Sequence, residues 1–295
     1  MHNPIASGDQ KAELVQYSMV QAKARPPKSP ELVSLVRSIW CYSSEEARSF
    51  ELVMPGGGGQ LIVNLFEDEL RHWASPQILR HRIGPVGLQG ALTRPVVIDT
   101  DQKRDVCGVA FHHGGLSGLH DRPATLFIDT IVDGVTIFGA GADALCDALR
   151  RMTDPDQRID LVEAFLLARL RSRPAEDALV RHVAMELAQG TSLSELRARL
   201  GLSQRRLHGL FDRRIGMRPK LFARIERFAA ALDAMPDRRS WSDLAFAHGF
   251  ADQAHFIREF QELSGYLPSQ HAMLAGETRH ARPSPDKIFN TGGAS

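Results

Sequence analysis

Apolar positions along this chain fall into two textures. From about Glu31 to Thr136 they come as short runs at residues 52–54, 60–66, 96–99, 106–111 and 125–127. Turn signals separate them: Pro55 with Gly56, Gly57, Gly58 and Gly59, then Gly84-Pro85, Gly114-Gly115 and Asp133-Gly134. Many short strands at this spacing predict a small barrel or sandwich, and the four consecutive glycines read as a hairpin loop. After Gly141 the period becomes helical, first over 144–151 and then over 158–171, where Leu161, Phe165, Leu166 and Leu170 recur about one turn apart. Pro174 marks the next boundary, and the chain then reads as helix almost without interruption to Ala275. The resulting expectation is an α+β multidomain protein: a β-barrel unit over 1–140, a helical linker or dimerisation segment over 141–173, an all-α unit over 174–275 and a flexible tail over 276–295.

The helical half contains a repeat. The stretch from Ser194-Glu195-Leu196 to Gly201-Leu202 matches that from Ser242-Asp243-Leu244 to Gly249-Phe250 at an offset of 48. One residue later the match resumes at an offset of 49, pairing Leu207 with Phe256, Phe211 with Phe260, Gly216 with Gly265 and Pro219 with Pro268. Each first helix opens on a capping signature, Ser192-x-x-Glu195 and Ser240-x-x-Asp243, in which the hydroxyl accepts from backbone N–H groups that have no partner inside the helix. Gly201 and Gly249 stand just past the last turn, where a positive φ is inexpensive for glycine, and Ser203 and Asp252 are good caps for the second helices. Short helix, glycine turn, second helix is the helix-turn-helix unit, whose second helix enters the major groove of DNA. Two generic helical hairpins would share this outline, so the exposed faces have to carry the assignment.

In the first copy Leu207, Leu210 and Phe211 form the apolar stripe, leaving Arg205, His208 and Gly209 together on another face, with Gln204, Arg206 and Arg213 flanking. In the second, Phe256, Phe260 and Leu263 point inward, while Gln253, Ala254 and Arg258 share a face beside His255. Arginine can donate two bonds to guanine, glutamine can pair bidentately with adenine, and a small residue lets the backbone approach the bases. A net charge of +1 over 295 residues argues at first against nucleic acid. Partitioned, the ten basic and two acidic residues between Arg197 and Arg227 give +8, leaving −7 for the rest. The second copy, from Trp241 to His271, is net −3. The first unit is therefore expected to anchor phosphates and read bases, and the second to add base contacts or to meet RNA polymerase.

The run from Ser203 to Phe211 followed by Gly216-Met217-Arg218-Pro219, a connecting helix over 220–235, and Gly249 to Phe260 closing on Gly265-Tyr266-Leu267-Pro268 resembles the AraC/XylS family of bacterial transcription regulators. The resemblance covers roughly residues 176–275. It implies two reading helices in successive major-groove segments of promoter DNA, with Ser203, Gln204, Arg205, Arg206, His208, Gly209 and Arg213 of the first unit (192–215) and Asp252, Gln253, Ala254, His255 and Arg258 of the second (240–264) at the interface. Residues 55–64, with Gly108 to Gly114, resemble the cupin-like sensor barrels fused to this family. That resemblance implies a small-molecule effector or a homodimer held by the barrel, with helices such as 158–171 packed between subunits; apart from it, a cytoplasmic protein without a cofactor is expected.

Other chemistry is weaker. Trp40, Tyr42, Asn64 and Trp73 are candidates for an effector pocket, although aromatic side chains also fill cores. His112, His113 and His120 invite a metal reading, yet neighbours on a strand point to opposite faces and no HxH with a downstream Glu is present. Ser117, His120 and Asp121 have the composition of a catalytic triad without a GxSxG turn. Cys41, Cys107 and Cys146, widely spaced and odd in number, read as reduced thiols rather than bridges. The first 13 residues lack the pattern of a secretory signal, and no run of about 20 apolar residues suits a bilayer. The rival classes are a cupin-like metal-dependent enzyme with a helical appendage and a module binding an acidic protein.

Overall fold

The computed structural model describes residues 21–44, 50–75, 78–171 and 174–277; the expectations for the first residues and for the tail beyond 277 fall outside that range. The N-terminal half is built from β1 (Gln21–Arg25), α1 (Pro30–Val33), β2 (Val36–Ser43), β3 (Phe50–Val53), β4 (Gln60–Asn64), β5 (Leu70–Ser75), β6 (Ile78–Ile83), β7 (Val86–Gln89), β8 (Val96–Asp99), β9 (Asp105–Phe111) and β10 (Ile131–Asp133). They form two antiparallel sheets, one of six strands in the order β1-β2-β9-β4-β7-β10 and one of four in the order β3-β8-β5-β6. The expected closed barrel is thus corrected to a pair of open sheets. The apolar run at 125–127 is not a strand but part of a 3-10 turn, Ala124–Phe127, entered from Pro123 and burying Phe127.

Antiparallel pairing also revises two local readings. β3 pairs with β8 while β4 pairs with β7 and β9, so the glycines at 56–59 join two different sheets and do not close a hairpin. Cys41 and Cys107 face each other across β2 and β9, Cα atoms 4.1 Å apart, and form a disulfide; Cys146 is the free, buried one. Their separation of 66 residues hid this, because sheet register and not sequence spacing makes neighbours.

The helices α2 (Gly134–Phe138), α3 (Ala140–Arg150) and α4 (Pro155–Leu167) come next in the chain. Asp154 caps α4 and Pro155 occupies its first position, where the missing N–H costs nothing. Leu145 and Leu149 of α3 and Ile159, Val162 and Leu166 of α4 share one buried cluster with Ile39, Leu61, Leu88 and Val109 of the six-stranded sheet. The 158–171 segment therefore covers its own sheet, and Arg158 clamps Asp105 at the start of β9 with bonds of 2.7 and 3.0 Å. Cover on both faces explains why β9 is buried almost throughout and shows no alternation in sequence.

The C-terminal half comprises α5 (Pro174–Ala188), α6 (Leu193–Leu200), α7 (Gln204–Arg214), α8 (Pro219–Ala234), α9 (Trp241–Ala247), α10 (Gln253–Ser264) and α11 (Pro268–Glu277). The predicted stripes are buried: Leu207, Leu210 and Phe211 on α7, and Phe256, Phe260 and Leu263 on α10. They meet around α8, whose Phe222, Ile225 and Phe228 join both units in one core. That core also takes in Met54 and Ala91 from the N-terminal half. None of the described helices is long and apolar enough to cross a membrane.

Candidate nucleic-acid interface

Local chemistry builds the second helix of each unit as the sequence predicts. The Ser203 hydroxyl accepts from the Arg206 N–H at 3.2 Å, and the Asp252 carboxylate accepts from the His255 N–H at 2.6 Å. Ser192 and Ser240 do the same for Glu195 and Asp243. Gly201 and Gly249 carry φ angles of 61° and 71°, in the left-handed region that lets each chain turn sharply into its second helix.

Gln204, Arg205 and Arg206 are exposed at the start of α7, with His208 and Gly209 half-buried one turn further on. Arg205 and Arg206 have no acidic partner among the described residues. Gly209 sits inside a helix, where it is intrinsically unfavourable by about 1 kcal/mol against alanine. A Cβ there would meet only the Arg213 guanidinium, at 3.3 Å, so packing within the chain does not demand the glycine. On α10, Gln253, Ala254 and Arg258 are exposed, again with no acidic partner for Arg258 among the described residues. His255 differs: its Nδ1 accepts from the Ala251 N–H at 3.1 Å and its Nε2 lies 3.5 Å from Glu259. The ring closes the helix N-terminus from behind, which occupies Nδ1 and turns Nε2 toward Glu259.

The three-dimensional charge map differs from the linear one. Of the ten basic residues between Arg197 and Arg227, six hold carboxylates: Arg199 with Glu186, Arg213 with Glu176, Arg214 with Asp177, Arg218 with Asp212, and Arg224 and Arg227 with Glu259. Arg197, Arg205, Arg206 and Lys220 have no such partner among the described residues. Arg214 is buried; besides Asp177 at 2.6 Å it reaches the Ser117 hydroxyl at 3.2 Å, tying α7 to α5 and to the N-terminal half. The acidity of the second unit is likewise engaged. Asp252 is a cap, while Glu259 and Glu262 pair with Arg224. Arg224-x-x-Arg227 and Glu259-x-x-Glu262 are matching one-turn stripes, a signal present in the sequence that a net charge per segment conceals.

A second feature missed in the sequence is the seam between the halves. Gly57 donates its N–H to Glu226 at 2.9 Å, and a Cβ on Gly57 would stand 2.5 Å from the Phe222 ring. His113 lies past the end of β9 rather than on it; it places its ring edge on Phe222 and its Nε2 3.4 Å from Glu226. Gly216, at φ 93°, closes against the Ala124 carbonyl, where a Cβ would come within 2.5 Å. A small cleft of about 80 Å³, partly open to solvent, runs along this seam between Ser117, His120, Arg122, Arg171 and Arg213. His120 is buried and stacked on Phe127 at 4.4 Å, neither ring nitrogen holds a hydrogen bond, and desolvation pushes its pKa down to about 4. Ser117, expected beside a triad, donates instead to the Gly114 carbonyl at 2.6 Å.

The four aromatic-pocket candidates do not come together. Trp40 of β2 lays its ring over Gly108, and half-buried Tyr42 lies on the same strand. Trp73 stands in the other sheet, edge-on to Phe50 at 5.4 Å. Asn64 holds the turn after β4, accepting from the Phe66 and Glu67 N–H groups and donating to the Glu69 carbonyl. None of the four lines the seam cleft. No group of three or more His, Cys, Asp or Glu among the described residues could hold a metal.

Residues 196–272 match a family described as a helix-turn-helix domain. The C-terminal part of this chain is an AraC-type helix-turn-helix domain. The chain is thus a DNA-binding transcription regulator, with DNA as its partner. Residues 24–133 match a family described only as a domain of unknown function. No curated protein matches the chain. Among solved structures, a probable AraC family transcriptional regulator from Rhodopseudomonas palustris is 26% identical over 36% of this chain and 99% of its own, with a TM-score of 0.30. ToxT from Vibrio cholerae is 8% identical over 88% of this chain and 99% of its own, with a TM-score of 0.42. Unsaturated fatty acid bound ToxT is 11% identical over 88% and 96%, with a TM-score of 0.41. All three are loose superpositions.

Proposed function

We propose that α7 and α10 read two neighbouring major-groove segments, that Gln204, Arg205, His208 and Gly209 face the bases of the first, and that Gln253, Ala254 and Arg258 face those of the second. The observation that carries this reading is that Arg205, Arg206 and Arg258 stand exposed on the reading helices without acidic partners among the described residues, whereas six of the ten cations between Arg197 and Arg227 hold carboxylates. Ser203 and Asp252 align the two helix N-termini, whose free N–H groups suit phosphate. Arg206 and Arg213 supply further phosphate contacts, the latter by exchanging Glu176 for DNA. His255 supports the second helix from its N-terminal turn. RNA polymerase is a further partner of the second unit.

In the same proposal residues 1–140 serve as a sensor or dimerisation unit, with 141–173 packed on it and 174–275 as the DNA-binding unit. The seam is the place where a small polar effector would act, because His120 lacks partners there and the buried Arg214 connects it to the end of α7. Fluorescence anisotropy with duplexes selected from random sequence by the full chain tests the reading. Binding should weaken linearly in log–log form with salt, with a slope near −0.9 per phosphate neutralised. A flat salt response would overturn it.

A further inference from the structure

Reading two DNA segments at once requires a fixed distance and angle between the two reading helices. α8 joins them, about 24 Å long at 1.5 Å per residue over its 16 residues. A helix fixes the length of the link but not the orientation of what is attached to its far end. Beyond α8 the chain passes through residues 235–240 before α9 begins. The second unit could swing on that segment unless side chains lock it.

A lattice of charges spans this joint. Glu259 lies in the middle of α10 and is largely buried, with its side chain 12% exposed. One carboxylate oxygen accepts from the Arg224 Nε at 2.9 Å and the other from the Arg227 Nη2 at 2.8 Å. Arg224 continues to Glu262, one turn further along α10, through both of its terminal nitrogens. Arg227 lays its guanidinium over the Phe250 ring at 4.8 Å, engaging the turn that precedes α10. His255 completes the set from the same face of α10, its Nε2 3.5 Å from Glu259. Two arginines on one face of α8 thus hold three successive parts of the second unit: the turn, the middle of α10 and its last turn. Planar guanidinium forks fix direction as well as distance, which single point charges do not.

We infer that Glu259, clamped between Arg224 and Arg227, is a positioning residue that sets the spacing between the two DNA segments this protein accepts. This rests on the two-segment reading above. A rigid link gives the second helix a high effective concentration at one spacing and almost none at others; a loosened link lowers the peak and widens the tolerance.

The test uses the full-length chain and a duplex selected from random DNA by the wild-type protein. Companion duplexes carry one base pair inserted or deleted between the two segments, or the first segment alone. Glu259→Gln should bind the selected duplex about tenfold more weakly, bind the first-segment duplex as wild type does, and lose most of the penalty that wild type shows on the insertion and deletion duplexes. The exchanged pair Arg227→Glu with Glu259→Arg should recover part of the wild-type spacing penalty. If Glu259→Gln does not fold by circular dichroism, Arg224→Lys with Arg227→Lys, which keeps the charges and removes the forks, gives the same readout. Retention of the full spacing penalty by the folded variant, or equal loss on every duplex including the single segment, would overturn the inference. Failure of the wild type to select any duplex would instead overturn the two-segment reading itself.

Discussion

The two helix-turn-helix units share a plan and differ in what holds them. The first is seated against the rest of the protein: α7 packs on α5 and on the 3-10 turns of the N-terminal half, and Arg214 is buried between Asp177 and Ser117. The second reaches the body through α8, by the Phe228–Phe260 contact at 5.1 Å and by the Arg224–Glu259–Arg227 lattice. One repeat thus produced one unit that the N-terminal half can influence directly and one whose placement depends on the connecting helix. The internal match at 48 to 49 residues says nothing of this difference, because it resides in the surfaces the two copies do not share.

The strongest way to break the comparison is to hollow the core on each side. Phe211→Ala and Phe260→Ala each remove a fully buried ring and should each cost about 3–5 kcal/mol, measured by urea denaturation. Because Phe222 and Phe228 join both copies, a single cooperative transition is expected; a separate early transition for Phe260→Ala alone would show the second unit to be a folding unit of its own.

Acid should act on the side of the first unit. His120 is buried beside Arg214 with its pKa held near 4 by desolvation, while an unfolded histidine titrates near 6.5. The unfolded chain therefore takes up the proton first, and stability falls as pH drops from about 6.5 to 4, by about 3 kcal/mol for this ring, then levels off. Comparing denaturation of wild type and His120→Gln between pH 7 and 4 isolates that share; identical pH profiles would contradict it.

Smaller effects distinguish reading from anchoring. Arg205→Ala should cost about 1–3 kcal/mol on the selected duplex and relax preference at one base position, with Arg258→Ala doing the same in the second segment. Arg206→Ala should instead weaken all duplexes alike and lower the salt slope by about one unit. Uniform losses from all three would show the exposed faces to be wrongly assigned. The caps give a matched pair near 1 kcal/mol: Ser203→Ala and Asp252→Ala should destabilise similarly in thermal melts, since each removes one helix N-terminal hydrogen bond. Smallest in stability is Gly209→Ala, expected to raise it by about 0.5–1 kcal/mol while weakening DNA binding, because the added methyl stands on the face offered to the groove. Unchanged DNA affinity would remove Gly209 from that face.

The repeat, the four caps, the two glycine turns and the apolar stripes of α7 and α10 were legible in the sequence because each depends on residues within a turn or two of one another. The same locality made the exposed faces of α7 and α10 nameable, apart from His255, whose ring turns back to Ala251. Much else depended on partners far away in the chain. The 106–111 run could be recognised as a strand, but not its pairing with β2 and β4, nor the disulfide that this register creates between Cys41 and Cys107. Gly57 carried a turn signal and proved to be a point of close approach for Phe222, 165 positions later.

Net charge marks the boundary most clearly. The sequence alone determined that +8 lies between Arg197 and Arg227, around the first copy of a repeated helical unit whose second copy is acidic. Only the tertiary structure decided which of those cations remain available. Packing brings Glu176, Asp177, Glu186 and Glu259 against half of them and leaves Arg205 and Arg206 without such partners among the described residues. The reason is physical: helix caps and periodicity act over one or two turns of chain, whereas an ion pair is set by distance in space, which folding alone establishes.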